Sequence, residues 1–201
     1  MLFFLAPCDR YPLPSLSDLL DAPKKACVYT KIDLCHAYHL VCIADGEEWK
    51  TTFHTRYGSC EWLVVPFNLT NAPATFQWFM NNIFHDLLDI CVIVYLDDIL
   101  IYSEDMTQHW AHVKEVLHRL WANGLFASAQ KCEFHKDTIE YLGFILLPNG
   151  LHMAQDKVQS ILDWPEPHKV KDVQSFLGFC NFYWRFIHPY TANSKTCALE
   201  L

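Results

Sequence analysis

Cys91–Ser103 reads CVIVYLDDILIYS, with two short apolar runs on either side of an aspartate pair. Both runs are rich in β-branched and aromatic residues, which suits strands buried on both faces better than an amphipathic helix. A two-residue Asp97-Asp98 connection between them predicts a tight hairpin. Two like charges at the rim of an apolar sheet repel each other and lose solvation, a cost that a divalent cation would remove. Aspartate is also a common turn residue, so a solvated turn is the alternative reading of the pair taken alone.

A second stretch changes the balance. Tyr29–Tyr38 reads YTKIDLCHAY, and Asp33 follows a strand-like run through Val28, Tyr29 and Ile32. Two strands, one carrying Asp33 and the other Asp97 and Asp98, can gather three carboxylates at one sheet edge. Such a set suits Mg²⁺, which takes oxygen ligands and completes its shell with water and substrate phosphates. Paired ions can then hold the attacking and leaving oxygens of an in-line phosphoryl transfer. The competing reading of Asp33 is a helix N-cap after the strand.

The 201 residues carry 52% hydrophobic and 19% charged side chains, the composition of a folded chain with a sizeable core. Nine cysteines show no CxxC pair and no zinc-type spacing with the eleven histidines, and several lie inside apolar runs. They read as buried thiols of a reducing compartment. Met1–Pro7 is apolar but too short for a signal peptide or a span, so a soluble, intracellular protein without a membrane partner is expected. The formal charge of −8, from 15 basic and 23 acidic residues, is unusual for a protein that grips phosphates. Only Lys24-Lys25 and Lys169/Lys171 approach a basic cluster.

Along the chain, Ser15 or Ser17 can cap a short helix through Leu19 and Leu20. Strands are expected at Val28–Leu34 and His39–Ile43, with a hairpin of Trp49–Thr55 and Cys60–Val65 around Tyr57-Gly58. Asn71 is a cap for a helix with Pro73 in its first turn. That helix carries a stripe of Phe76, Phe79, Met80, Ile83, Phe84 and Leu87. A second helix, Thr107–Asn123, places Trp110, Val113, Leu117, Leu120 and Trp121 on one side and stops at Gly124. Ile139–Leu147 reads as one strand closing at Pro148-Asn149-Gly150. Helical composition follows over Gln155–Trp164 and Val170–Ile187. Strands and helices with acidic groups on one sheet argue for an α+β fold.

Seven blocks occur in order: RYPLPSLSDLLD (Arg10–Asp21), TKIDLCHAYH (Thr30–His39), VVPFNLTNAPATFQ (Val64–Gln77), VYLDDILIYS (Val94–Ser103), KCEF (Lys131–Phe134), YLGFIL (Tyr141–Leu146) and SFLGFCNFYWRFI (Ser175–Ile187). Together they resemble the reverse transcriptase of gypsy-type LTR retrotransposons and related retroviral elements. The resemblance implies an α+β palm over 23–42 and 66–152 and a fingers insertion over 43–65. It also implies a small helical thumb over 153–201, with 1–22 as the N-terminal segment.

By the same resemblance, Asp33 and Asp97 are the main metal ligands and Asp98 supports them, with Mg²⁺, or Mn²⁺ in its place, as cofactor. Tyr38 matches the aromatic residue under the incoming sugar, although a core tyrosine is an equal reading of it from the residues alone. Leu96, Phe67 and Asn68 match the nucleotide side, and Pro73 and Gln77 the template side. Leu142, Gly143 and Phe144 look like the hairpin that positions the primer end. Lys131 is a candidate phosphate contact, with an ordinary solvated lysine as the alternative. The implied partners are an RNA or DNA template with primer, deoxynucleoside triphosphates and other parts of a retroelement polyprotein. The implied location is cytoplasmic, nuclear or within virus-like particles.

This sequence departs from the family pattern in several places. Asn68 stands where the family usually has glycine, in a loop close to the substrate. Cys35, Leu40 and Cys42 replace polar or basic types. The family's fingers strands precede the RYPLP block, and its ribonuclease H domain follows the thumb, so a chain truncated at both ends is expected. The rival expectation is a catalytically impaired remnant that keeps the fold and binds nucleic acid or protein weakly.

Overall fold

A computed structural model describes residues 11–35, 37–66, 69–148 and 150–183. By internal contacts the chain divides into Met1–Ile139 and Glu140–Leu201.

The first unit is built on a four-stranded antiparallel sheet of β1 (Val28–Asp33), β4 (Val92–Tyr95), β5 (Asp98–Ser103) and β6 (Glu133–Lys136), in the order β4-β5-β1-β6. Val28 faces Ser103 at one end of the central pair, and Asp33 faces Asp98 at the other. Between β1 and β4 the chain forms two three-residue strands, β2 (Phe53–Thr55) and β3 (Gly58–Cys60), and the helix α2 (Ala72–Ile83). A short helix, α1 (Leu16–Asp21), precedes β1, and α3 (Met106–Ala122) follows β5.

The core lies between the sheet and these helices. Ile32, Val92, Val94, Ile99 and Ile101 meet Phe76, Phe79, Met80 and Phe84 of the α2 segment and Val113, Val116 and Leu120 of α3. Met80, Phe84, Val116, Ile32 and Ile99 are fully buried, so each contributes on the order of 2 kcal/mol by leaving water.

Several local expectations change. The hairpin turn is Leu96-Asp97 rather than Asp97-Asp98, because Tyr95 already pairs with Asp98 and draws the second aspartate into β5. Residues Ala37–Leu40 wind into a 3₁₀ turn, and the strand expected at His39–Ile43 is reduced to a single bridge between Cys42 and Val64. The β2–β3 hairpin is shorter than expected because Glu48–Thr51 forms another 3₁₀ turn. On α3 the buried face is His109, Val113, Val116 and Leu120, whereas Trp110, Leu117 and Trp121 are exposed. Large apolar side chains alone therefore misplace that face. Asn71 precedes α2 but makes no side-chain cap. Of the seven described cysteines, all free, only Cys91 and Cys180 are buried.

The second unit, which begins within β7 (Ile139–Tyr141), holds β8 (Phe144–Leu147) and β9 (Gly150–Met153), followed by α4 (Gln155–Leu162) and α5 (Val170–Phe182). The single strand expected over Ile139–Leu147 breaks at Leu142-Gly143, where both residues have positive φ (52° and 81°). That conformation reverses the chain and is natural only for the glycine. None of the described helices is long and apolar enough to cross a membrane.

Candidate active site

The acidic end of the sheet is assembled by register. Asp33 and Asp98 are directly opposed partners on β1 and β5. Directly opposed residues share a face, with Cβ atoms about 5 Å apart. Ile32 and Ile99, one position inward, belong to the core, so the alternation of the pleat sends both carboxylates to the other face. Asp97 occupies the adjoining turn, where its carbonyl accepts from Leu34 N at 3.3 Å. Asp33 and the Asp97-Asp98 pair, more than sixty positions apart in sequence, thus meet at one sheet end, each of the three half-buried.

The electrostatics follow from that convergence. The Asp98 carboxyl is raised above its ordinary pKa by burial first, then by the negative charges of Asp97 and Asp33. Lys131 opposes this charge, with its Nζ 3.3 and 3.4 Å from the two carboxylate oxygens of Asp33. The lysine reaches the site because Ser128 N donates to Asp33 O at 2.9 Å and Lys131 N donates to Ser128 O at 3.0 Å. That loop is thereby tied to the end of β1. Tyr38 packs against the core cluster, yet it feels the site: burial raises its hydroxyl pKa, and the charge of Asp97 adds to the shift. Its ring sits 5.0 Å from that of Phe76.

Among the described residues, no three His, Cys, Asp or Glu side chains form a ready-made metal cage. The donor set nevertheless fits Mg²⁺, which is commonly held by one or two carboxylates together with water and substrate phosphates. The carboxylate oxygens are hard donors, which favours Mg²⁺ or Mn²⁺ over softer metals.

The other residues singled out from the sequence fall on several elements. Leu96 is in the aspartate turn with φ of 55°, and Pro73 is in the first turn of α2. Phe67 and Asn68 lie outside the described residues. Leu142 and Gly143 form the β7–β8 turn of the second unit, and Phe144 opens β8. Gln77, expected on the template side, is fully buried, and its amide is bonded to the backbone before Asp97. The pattern carried a signal for this: Gln77 and Asn81 are two amides at helical spacing within an apolar stripe, where a polar group needs a specific partner.

Fold and site together define a palm-type domain with a carboxylate cluster at the end of a β-hairpin. The chain belongs to the reverse transcriptase (RNA-dependent DNA polymerase) family, whose profile matches residues 4–146. It is 37% identical to the Transposon Tf2-3 and Tf2-4 polyproteins of Schizosaccharomyces pombe over 177 residues, 88% of this chain but 13% of each relative. Its fold is similar to that of the foamy viral protease-reverse transcriptase dRH in complex with double-stranded DNA. That match has a TM-score of 0.86 at 22% identity and covers 94% of this chain and 33% of that one. A second such structure, in complex with an RNA/DNA hybrid, matches with a TM-score of 0.76 at 23% identity over 88% of this chain and 24% of that one. The chain thus spans only a small part of the relatives it matches.

Proposed function

We propose that this chain is the RNA-directed DNA polymerase domain of a retroelement polyprotein, extending a primer with deoxynucleoside triphosphates on a nucleic-acid template. The observation that carries the reading is the Asp33–Asp98 register with Asp97 in the adjoining turn. Asp33 and Asp97 would hold divalent metal, Mg²⁺ or Mn²⁺ in its place, with Asp98 in support. When bound, the metal would neutralise phosphate charge and lower the pKa of a primer 3′-hydroxyl. Tyr38 would lie under the incoming sugar and exclude a 2′-hydroxyl. Lys131 balances Asp33 and would contact a phosphate of the incoming nucleotide. Leu96 would line the nucleotide site, and Pro73 the template side. Leu142, Gly143 and Phe144 take the primer-end role. The palm, fingers and thumb boundaries at 23–42, 43–65, 66–152 and 153–201 belong to the same reading, as does an intracellular location.

One observation favours a second reading, a domain that keeps the fold without turnover: the net charge of −8 weakens attraction for a polyanion. Primer extension on an RNA template separates the two. Incorporation that requires Mg²⁺ or Mn²⁺ and falls more than about 100-fold in Asp97→Asn supports the polymerase, since such ions contribute several kcal/mol to phosphoryl transfer. No incorporation with either metal leaves the inactive domain.

A further inference from the structure

Gln77 makes three hydrogen bonds from a fully buried side chain. Its Nε2 donates to Val94 O at 3.0 Å and to Asn81 Oδ1 at 2.9 Å, and its Oε1 accepts from Leu96 N at 2.8 Å. The orientation of the amide is not arbitrary. A carbonyl oxygen can only accept and a backbone N–H can only donate, so Val94 and Leu96 dictate which end of Gln77 is oxygen. Asn81 must then present its oxygen to Gln77, which leaves its Nδ2 to donate to Tyr11 Oη at 2.8 Å. The relay runs from Tyr11, through successive turns of α2, to the backbone on either side of Tyr95, just before Asp97.

That turn needs holding. A two-residue hairpin with positive φ at its first central position normally has glycine there. Here the position is Leu96, at φ of 55°, a conformation that strains a branched side chain. Val94 O and Leu96 N flank Tyr95, whose pairing with Asp98 closes the hairpin. Gln77 therefore clamps the backbone immediately before Asp97.

We infer that Gln77, oriented by Asn81 and Tyr11, is a positioning residue that holds the Leu96-Asp97 turn in its strained conformer and thereby aims the Asp97 carboxylate at the metal. The inference rests on the polymerase reading of the aspartate site. It requires that loss of the clamp weaken ion binding even in the absence of any nucleic acid.

The test uses the full chain with Tb³⁺ as probe, its luminescence sensitised by nearby tyrosines, and Mg²⁺ as competitor. Hydrogen bonds that orient metal ligands are commonly worth 10–100-fold in affinity, so Gln77→Leu is expected to weaken Mg²⁺ competition by at least about tenfold with secondary structure retained. Gln77→Glu keeps the acceptor for Leu96 N but loses the donor to Val94 O, so a partial loss is expected. Asn81→Ala retains Gln77 while removing its orienting partner and should fall between wild type and Gln77→Leu. Hydrogen exchange at the Leu96 amide should accelerate in the same order. If Gln77→Leu fails to fold, Asn81→Ala and the Leu96 exchange rate decide the matter. Wild-type affinity and unchanged Leu96 exchange in a folded Gln77→Leu or Asn81→Ala chain overturn the inference. Ion binding that is insensitive to Asp97→Asn overturns the polymerase reading itself, which is a separate result.

Discussion

Replacing Asp98 with asparagine should stabilise the protein at neutral pH. Direct pairing sets the Asp33 and Asp98 side chains about 5 Å apart. At an effective dielectric near 20, that separation corresponds to a repulsion of about 3 kcal/mol. Lys131 on Asp33 and the nearby Lys31 offset much of it, which leaves roughly 1 kcal/mol, a common scale for relieving a functional-site conflict. For a chain of this length that corresponds to a rise of about 2–4 °C in Tm. The sign is set by the raised pKa of Asp98: folding is penalised where the carboxyl must be ionised and unpenalised where it is protonated. The gain should therefore be present at pH 7 and vanish at about pH 3, below the ordinary aspartate pKa. Mg²⁺ should stabilise the wild type as well, by about 1.4 kcal/mol at tenfold excess over its Kd, and the variant less. Thermal melts at the two pH values, with and without Mg²⁺, read all of this. A variant that is equally or less stable at pH 7, or one whose gain persists at pH 3, refutes the electrostatic account of the site.

Other consequences concern separate parts of the chain. His109 is fully buried between Thr30 and Ser103, and burial followed by the neighbouring His135 and His112 lowers its pKa to about 4. A lowered histidine pKa gives stability that is present above its ordinary value and lost as pH falls. Urea melts of His109→Gln should accordingly lack a loss on the order of 3 kcal/mol between pH 6.5 and 4, and an unchanged acid slope excludes that assignment. Gly143→Ala should cost about 1–2 kcal/mol, because φ is 81° and a new Cβ would lie 3.1 Å from Tyr183 Oη. Gly124→Ala has a similar φ but open space around it, so equal losses for the two in urea unfolding would remove Tyr183 from the explanation. Tyr38→Ala should relax discrimination against ribonucleotides in single-nucleotide extension, and unaltered selectivity would take Tyr38 out of the sugar pocket.

The sequence by itself determined the strand character of CVIVYLDDILIYS, the amphipathic α2 stripe and the family, since these depend on local propensity, periodicity and ordered motifs. Asp33, Asp97 and Asp98 were legible for the same reason: acidic residues interrupting buried strands demand an explanation. Only the tertiary structure decided that Asp98 stands opposite Asp33, that Lys131 closes on Asp33, and that the turn is Leu96-Asp97. Register is set by which faces pack on α2 and α3, and a one-residue slip would have sent every side chain to the other face. Gln77 shows the same division. Its polarity within an apolar stripe was visible, but the backbone atoms it serves come from β4 and the following turn, nearly twenty residues along the chain, and only packing brings them together.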